Sequence, residues 1–271
     1  MKSFRPLALL LGVVLIASCD KNSTMNISGP AAGSAVKFFN FGVGDTSVNF
    51  YVNDQKVTAA SSTSCSSSVN GQTTDTTCLN AGKESRNGTN YGGGANGGGL
   101  YSSIAPGSYT LSARLTTAAN NGVAIASTPA TLADGKYYSY YLSGVYNSAA
   151  KSVESFLVED PIPAPDYSQA VVRFVNAISN SQPMTLYAKN QTSGVETAIG
   201  PTVAYKTAGA FVGLPSGIYD LSTRVAGSGT NVITRTGVGL AAGRVYTITA
   251  YGDITATKGA AVPALDNTTN Y

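Results

Sequence analysis

The chain contains one succession of short motifs twice. Val36-Lys37-Phe38-Phe39-Asn40 returns as Val172-Arg173-Phe174-Val175-Asn176, and Val48-Asn49-Phe50-Tyr51-Val52 returns at the same offset as Met184-Thr185-Leu186-Tyr187-Ala188. Ile104-Ala105-Pro106-Gly107-Ser108-Tyr109-Thr110-Leu111-Ser112-Ala113-Arg114 aligns with Leu214-Pro215-Ser216-Gly217-Ile218-Tyr219-Asp220-Leu221-Ser222-Thr223-Arg224. Leu132-Ala133-Asp134-Gly135-Lys136-Tyr137-Tyr138 aligns with Leu240-Ala241-Ala242-Gly243-Arg244-Val245-Tyr246. The matches keep their order and the period is about one domain, which indicates a duplication rather than a solenoid. Whatever fold one half adopts, the other must be able to adopt as well.

Each repeated block alternates with period two and is bounded by Gly, Pro, Asn or Asp, as strands are. Val36, Phe38 and Asn40 share one face of the opening strand, and Val48, Phe50 and Val52 share one face of the next. Tyr109, Leu111 and Ala113 oppose Thr110, Ser112 and Arg114. In the closing strand Tyr246 and Ile248 face one way and Val245, Thr247 and Thr249 the other; transferring that phase turns Tyr138 and Tyr140 inward and Tyr137 and Tyr141 outward. Many short strands without a convincing amphipathic helix indicate β-sandwiches. Pro161-Ile162-Pro163-Ala164-Pro165 reads as a short, stiff linker between the halves. The expected layout is a first sandwich over residues 35–160 and a second over 166–271.

The N-terminus carries a different signal. Lys2 and Arg5 precede an apolar run from Pro6 to Ser18, too short to span a bilayer stably and suited to a signal peptide. The run ends in Ile16-Ala17-Ser18-Cys19, which resembles the lipobox of bacterial lipoproteins. That resemblance implies cleavage after residue 18 and a diacylglycerol on the Cys19 thiol, anchoring the protein in a membrane. Residues 19–34 lack periodicity and read as a flexible tether.

Between Val52 and Ile104 the first half is about twice as long as the second half between Ala188 and Leu214. The insertion, about residues 59–99, holds Cys65 and Cys78, the cysteines left once Cys19 is lipidated. An even pair in an exported chain reads as a disulfide. The insertion closes with Tyr91-Gly92-Gly93-Gly94-Ala95-Asn96-Gly97-Gly98-Gly99-Leu100. A phosphate-binding loop needs a strand before it and a helix after it. Here a Ser/Thr-rich stretch precedes and strand-like Leu100-Tyr101-Ser102-Ser103-Ile104 follows, so the glycines read as loose chain returning to the sandwich.

The strand pattern resembles the family known as domain of unknown function 4397, in two tandem copies. Its R-F-x-N opening, second-strand tyrosine, P-x-G-x-Y turn and G-K/R-x-Y-T closing strand fall at Val172 to Asn176, Thr185 to Ala188, Pro215 to Tyr219 and Gly243 to Thr247. The first half departs by Phe39, by the insertion and by Tyr137-Tyr138 in its closing strand. The resemblance implies an all-β protein of two Ig-like or transthyretin-like sandwiches in the bacterial envelope, often lipid-anchored, with the outer membrane favoured. It carries no catalytic residues.

Composition points away from several chemistries. There is no His, the residue most often used for acid–base work, and charged residues are only 11% of the chain. A net charge of +3 is too small and dispersed for a nucleic-acid partner. The carboxylates Asp45, Asp54, Asp134, Glu154, Glu159, Asp160 and Asp166 are scattered, and adjacent Glu159 and Asp160 on a strand point to opposite faces, against a glycosidase pair. No G-x-S-x-G elbow and no calcium-loop run occurs. The expectation is a non-catalytic protein without cofactor or metal, with a binding, adhesion or structural role; the alternative is an accessory of carbohydrate processing or a weak hydrolase. Phe39, Phe41, Tyr51, Tyr137 and Tyr141 all oppose core-facing positions in their own strands. Lys37 shares the face of Phe39 and Phe41, which marks it as the solvent side. These five rings are therefore the candidate platform for a glycan or a protein partner, set against packing between the two sandwiches or beneath the insertion.

Overall fold

The computed structural model describes residues 33–44, 47–58, 64–69, 72–77, 88–95, 99–117, 120 and 122–270. Cys19 and Cys78 lie outside these residues. The first half supplies β1 (Ser34–Asn40), β2 (Val48–Val52), β3 (Gln55–Lys56), β4 (Ser64–Val69), β5 (Gln72–Thr77), β6 (Gly93–Gly94), β7 (Ser102–Ile104), β8 (Gly107–Leu115), β9 (Ala124–Leu132), β10 (Tyr137–Asn147) and β11 (Ser152–Glu159). The second half supplies β12 (Ala170–Asn176), β13 (Met184–Asn190), β14 (Glu196–Val203), β15 (Thr207–Ala208), β16 (Val212–Leu214), β17 (Gly217–Val225), β18 (Ile233–Leu240), β19 (Val245–Tyr251) and β20 (Ala264–Thr269).

The protein is all-β, and each half is a sandwich of two sheets. In the first, β11-β10-β1 with β6 and β7 faces β3-β2-β8-β9; in the second, β20-β19-β12 with β15 and β16 faces β14-β13-β17-β18. The duplication extends to pairing register. The opening strand runs parallel to the strand before last in both halves, with Val36 opposite Tyr138 and Val172 opposite Tyr246. The hairpin β4–β5 forms a separate two-stranded sheet inside the insertion, with Cys65 opposite Thr76.

Period-two alternation sends one face of every inner strand into its own sandwich. Val36, Phe38, Val48, Phe50, Leu111, Ala113, Tyr138 and Tyr140 form the first core, and Val172, Phe174, Leu186, Leu221, Tyr246 and Ile248 belong to the second. Tyr138 and Tyr140 do point inward, as the phase of the second half predicts.

The repeated polar motif residues close turns. Tyr109 donates its hydroxyl hydrogen to Ala105 O at 2.9 Å, and Tyr219 to Pro215 O at 2.6 Å. Both are corner tyrosines, which pin the chain where it turns into β8 or β17. The hydroxyls of Tyr138 and Tyr246 accept from the amides of Ala133 and Ala241, each at 3.1 Å, tying the closing strand to the turn before it. Asn40 and Asn176 accept the amides of Gly42 and Ile178 two residues on, as Asx turns do.

A third core joins the two sandwiches. Phe39, Phe41, Tyr141 and Phe156 pack with Val175 and Ala177, so the outer face of the β11-β10-β1 sheet lies on the outer face of the β20-β19-β12 sheet. The four sheets thus make four layers, and residues 32–271 form one compact unit. Ser34, assigned by its sequence to the end of the tether, belongs to β1 and donates its hydroxyl to Ile104 O at 2.8 Å.

Candidate functional site

The five candidate rings do not share one open face. Phe39, Phe41 and Tyr141 are at most 2% exposed and stack on one another, with centroids 4.9 Å apart for Phe39–Tyr141 and 5.5 Å for Phe39–Phe41. Tyr251 of the second sandwich stacks on Phe41 at 4.5 Å. These rings are packing residues between the halves rather than a platform open to a partner. Tyr51 lies in the other sheet, on β2, under the guanidinium of Arg114 at 4.2 Å. Its repeat counterpart Tyr187 lies under Arg224 at 4.3 Å in the same way. Tyr137 is 40% exposed and meets only the edge of Tyr101 among the described ring contacts.

Lys37 is not on a solvent face; it is 1% exposed. Its ammonium crosses to the second sandwich and donates to Thr269 O at 2.7 Å and Asn270 Oδ1 at 3.2 Å, with the Tyr101 ring 4.5 Å away. Arg173 crosses in the opposite direction. It donates to Glu159 O at 3.1 Å and forms a buried ion pair with Asp160. The second oxygen of Asp160 accepts from Ser139 at 2.7 Å and Tyr101 at 2.8 Å. A buried carboxylate so surrounded has its charge and lone pairs satisfied, the condition under which such a group is tolerated.

Burial sets the protonation behaviour here. Loss of hydration pushes the Lys37 amine down to about 8, against a smaller upward pull from Asp160. Tyr141 is pushed up to about 12, mainly by burial. Tyr101 is raised further, first by burial and then by the charge of Asp160. Glu159, the last residue of β11, and Asp160 just beyond it point to opposite sides: Glu159 pairs with exposed Lys136 at 2.8 Å, while Asp160 is buried.

The glycine run is more than slack chain. Gly93 and Gly94 pair with Asn40 and Phe39 as β6. Gly99 has φ +84°, and a Cβ there would sit 3.0 Å from the Phe39 ring and 3.3 Å from Thr268 of the second sandwich. Gly92 has φ +78°, with the Tyr251 hydroxyl 3.3 Å from where a Cβ would stand. Both need a left-handed backbone and close approach at the seam, which glycine alone supplies cheaply.

Away from the seam, Asn190, Thr192, Ser193, Val195, Thr197, Pro215 and Tyr219 line an open cleft of about 370 Å³ at one end of the second sandwich. Tyr219 directs its hydroxyl to Pro215 O, so its polar tip is already engaged. Among the described residues no group of three or more Cys, Asp or Glu converges to hold a metal ion.

Sequence reasoning missed Asp160, Arg173 and Tyr101 as one network. The usable signal was the repeat: Lys37 and Arg173 occupy equivalent positions on the outward face of two inner strands. A cation kept at both places by the duplication marks a shared surface.

Fold and seam together define the class, an all-β protein of two tandem sandwich modules locked through their inner sheets. The chain belongs to the family described as Domain of unknown function (DUF4397), whose model matches residues 67–187 and 170–270. The second match spans β12 to β20; the first begins within β4 and runs on through β12 into β13. No curated protein matches the chain.

Proposed function

We propose that this protein is a lipid-anchored component of the bacterial cell envelope, held in the outer membrane through Cys19, with a structural, non-catalytic role. The observation that carries the structural part is the seam. Burial of Phe39, Phe41 and Tyr141 between the sandwiches, with the Lys37 and Arg173 bridges, makes the tandem one stiff body rather than two beads on a linker. Domains joined by a large apolar interface lose the relative motion that is otherwise their default. A stiff body on a short lipid-anchored tether suits a spacer or a scaffold for other envelope components. The anchoring part rests on Lys2, Arg5, the apolar run and Ile16-Ala17-Ser18-Cys19.

Metabolic labelling with a palmitate analogue, followed by membrane fractionation, tests this reading. The wild type is expected to carry the label and sediment with membranes, and Cys19→Ala to lose the label. Equal labelling of the two forms overturns the anchor. Small-angle scattering of the chain from Asp20 onward tests stiffness, and a distribution of separated sandwiches overturns the structural role.

A further inference from the structure

The contacts across the seam are reciprocal. Strand registers fix which positions of the halves correspond: Lys37 with Arg173, Tyr101 with Phe211, Tyr91 with Tyr205, Ser143 with Tyr251, Glu159 with Thr269, and Asp160 with Asn270. Lys37 bonds Thr269 O and Asn270 Oδ1; Arg173 bonds the equivalent Glu159 O and Asp160 Oδ1. Each cation also lies against the equivalent ring of its own half, Lys37 against Tyr101 at 4.5 Å and Arg173 against Phe211 at 5.0 Å. Tyr91 packs edge-on to Tyr251 at 5.7 Å, and its counterpart Tyr205 shares a 2.7 Å hydrogen bond with Ser143.

When residue i of one body meets j of another and j's counterpart meets i's, the interface is isologous, the kind that builds twofold dimers. Two unrelated surfaces brought together by a linker would have no reason to use equivalent positions in both directions. We infer that the outer face of the inner sheet is a self-recognition surface, whose partner is a second copy of the same module in twofold orientation. The second half serves as that copy within this chain. The halves have diverged in one respect that matters: the Arg173 clamp meets a carboxylate, Asp160, while the Lys37 clamp meets the amide of Asn270. A pair of second halves would therefore place each Arg173 against Asn270 and leave both guanidinium groups without a carboxylate, so Asn270→Asp should strengthen that pairing.

The test keeps the whole folded chain as its starting point. A protease site is placed within residues 161–165, the folded protein is cut, and the halves are diluted, reconcentrated and weighed by native mass spectrometry. The expected species are the original pair of unlike halves and, in the Asn270→Asp form, a homodimer of the second half. Asn270→Asp is expected to raise the homodimer by about tenfold or more, the scale of a close interfacial charge pair. The inference is overturned if the unlike pair persists while the second half stays monomeric in both forms. Should Asn270→Asp fail to fold in the uncut chain, Arg173→Met, which removes the uncompensated charges from a pair of second halves, carries the same test, and a monomeric second half there overturns it equally.

Discussion

Arg173, in the opening strand of the second sandwich, is ion-paired with Asp160, the residue after the last strand of the first, and neither side chain is more than 1% exposed. The pair crosses the seam, so it registers the sandwiches against each other as well as neutralising two charges. Asp160→Ala leaves a guanidinium buried without its carboxylate, and a loss of about 3–5 kcal/mol in denaturant unfolding is expected. Replacing both, as Arg173→Met with Asp160→Leu, should cost much less, because no uncompensated charge remains. Equal losses in the two variants would contradict this account.

Tyr141 and Tyr137 differ by four residues on the same face of β10, yet their fates diverge. Tyr141 stacks on Phe39 and on Phe156 at 5.0 Å within the seam, whereas Tyr137 is 40% exposed. Tyr141→Ser should destabilise by about 3–5 kcal/mol, as large-to-small changes of buried rings do. Tyr137→Ser should cost about 1 kcal/mol or less, the worth of an edge contact. Thermal melts of the two variants decide the matter; equal shifts would mean that the seam is open in solution.

Lys37 makes the seam sensitive to alkaline pH. Its amine falls to about 8 in the folded protein, against 10.5 for a free lysine. Between these values the unfolded chain holds a proton that the folded chain has released, so this residue's contribution to stability rises with pH. Tyr101 and Tyr141, raised by burial, act in the opposite direction above pH 10, where the unfolded chain ionises first. Subtracting the Lys37→Met curve from the wild type isolates the lysine. The difference should be flat below pH 8 and climb toward 10.5.

Cys65 lies in β4 and Cys78 follows β5 in the sequence, and the hairpin β4–β5 pairs with no other sheet among the described strands. A lone two-stranded hairpin is marginal in water, and a disulfide closing so short a loop adds about 3 kcal/mol. Mass spectrometry of a non-reduced digest should find the two cysteine peptides joined. Free, alkylatable thiols on protein taken from the envelope would refute the bond.

The strand content, the duplication and the inward rings follow from local rules. Alternation at Val36 and Phe38, or Tyr246 and Ile248, is set by strand geometry and reads directly from the sequence, because a pleated strand permits only two faces. The corner tyrosines Tyr109 and Tyr219 each sit two residues after a turn glycine, Gly107 or Gly217, so their turns were legible too. Alternation also gave the correct outward phase for Lys37, Phe39 and Tyr141. What covers that outward face is a different question, because period two assigns sides and says nothing of the neighbour on each. Tyr51 has the same phase as Phe39 but belongs to the other sheet, a separation made by pairing between distant strands. The tertiary structure alone decided that a second sheet lies on Lys37, that Asp160 meets Arg173, and that Gly92 and Gly99 stand where rings approach. Those outcomes depend on the docking of two finished sandwiches, and docking is governed by the complementarity of whole faces rather than by the local order of residues.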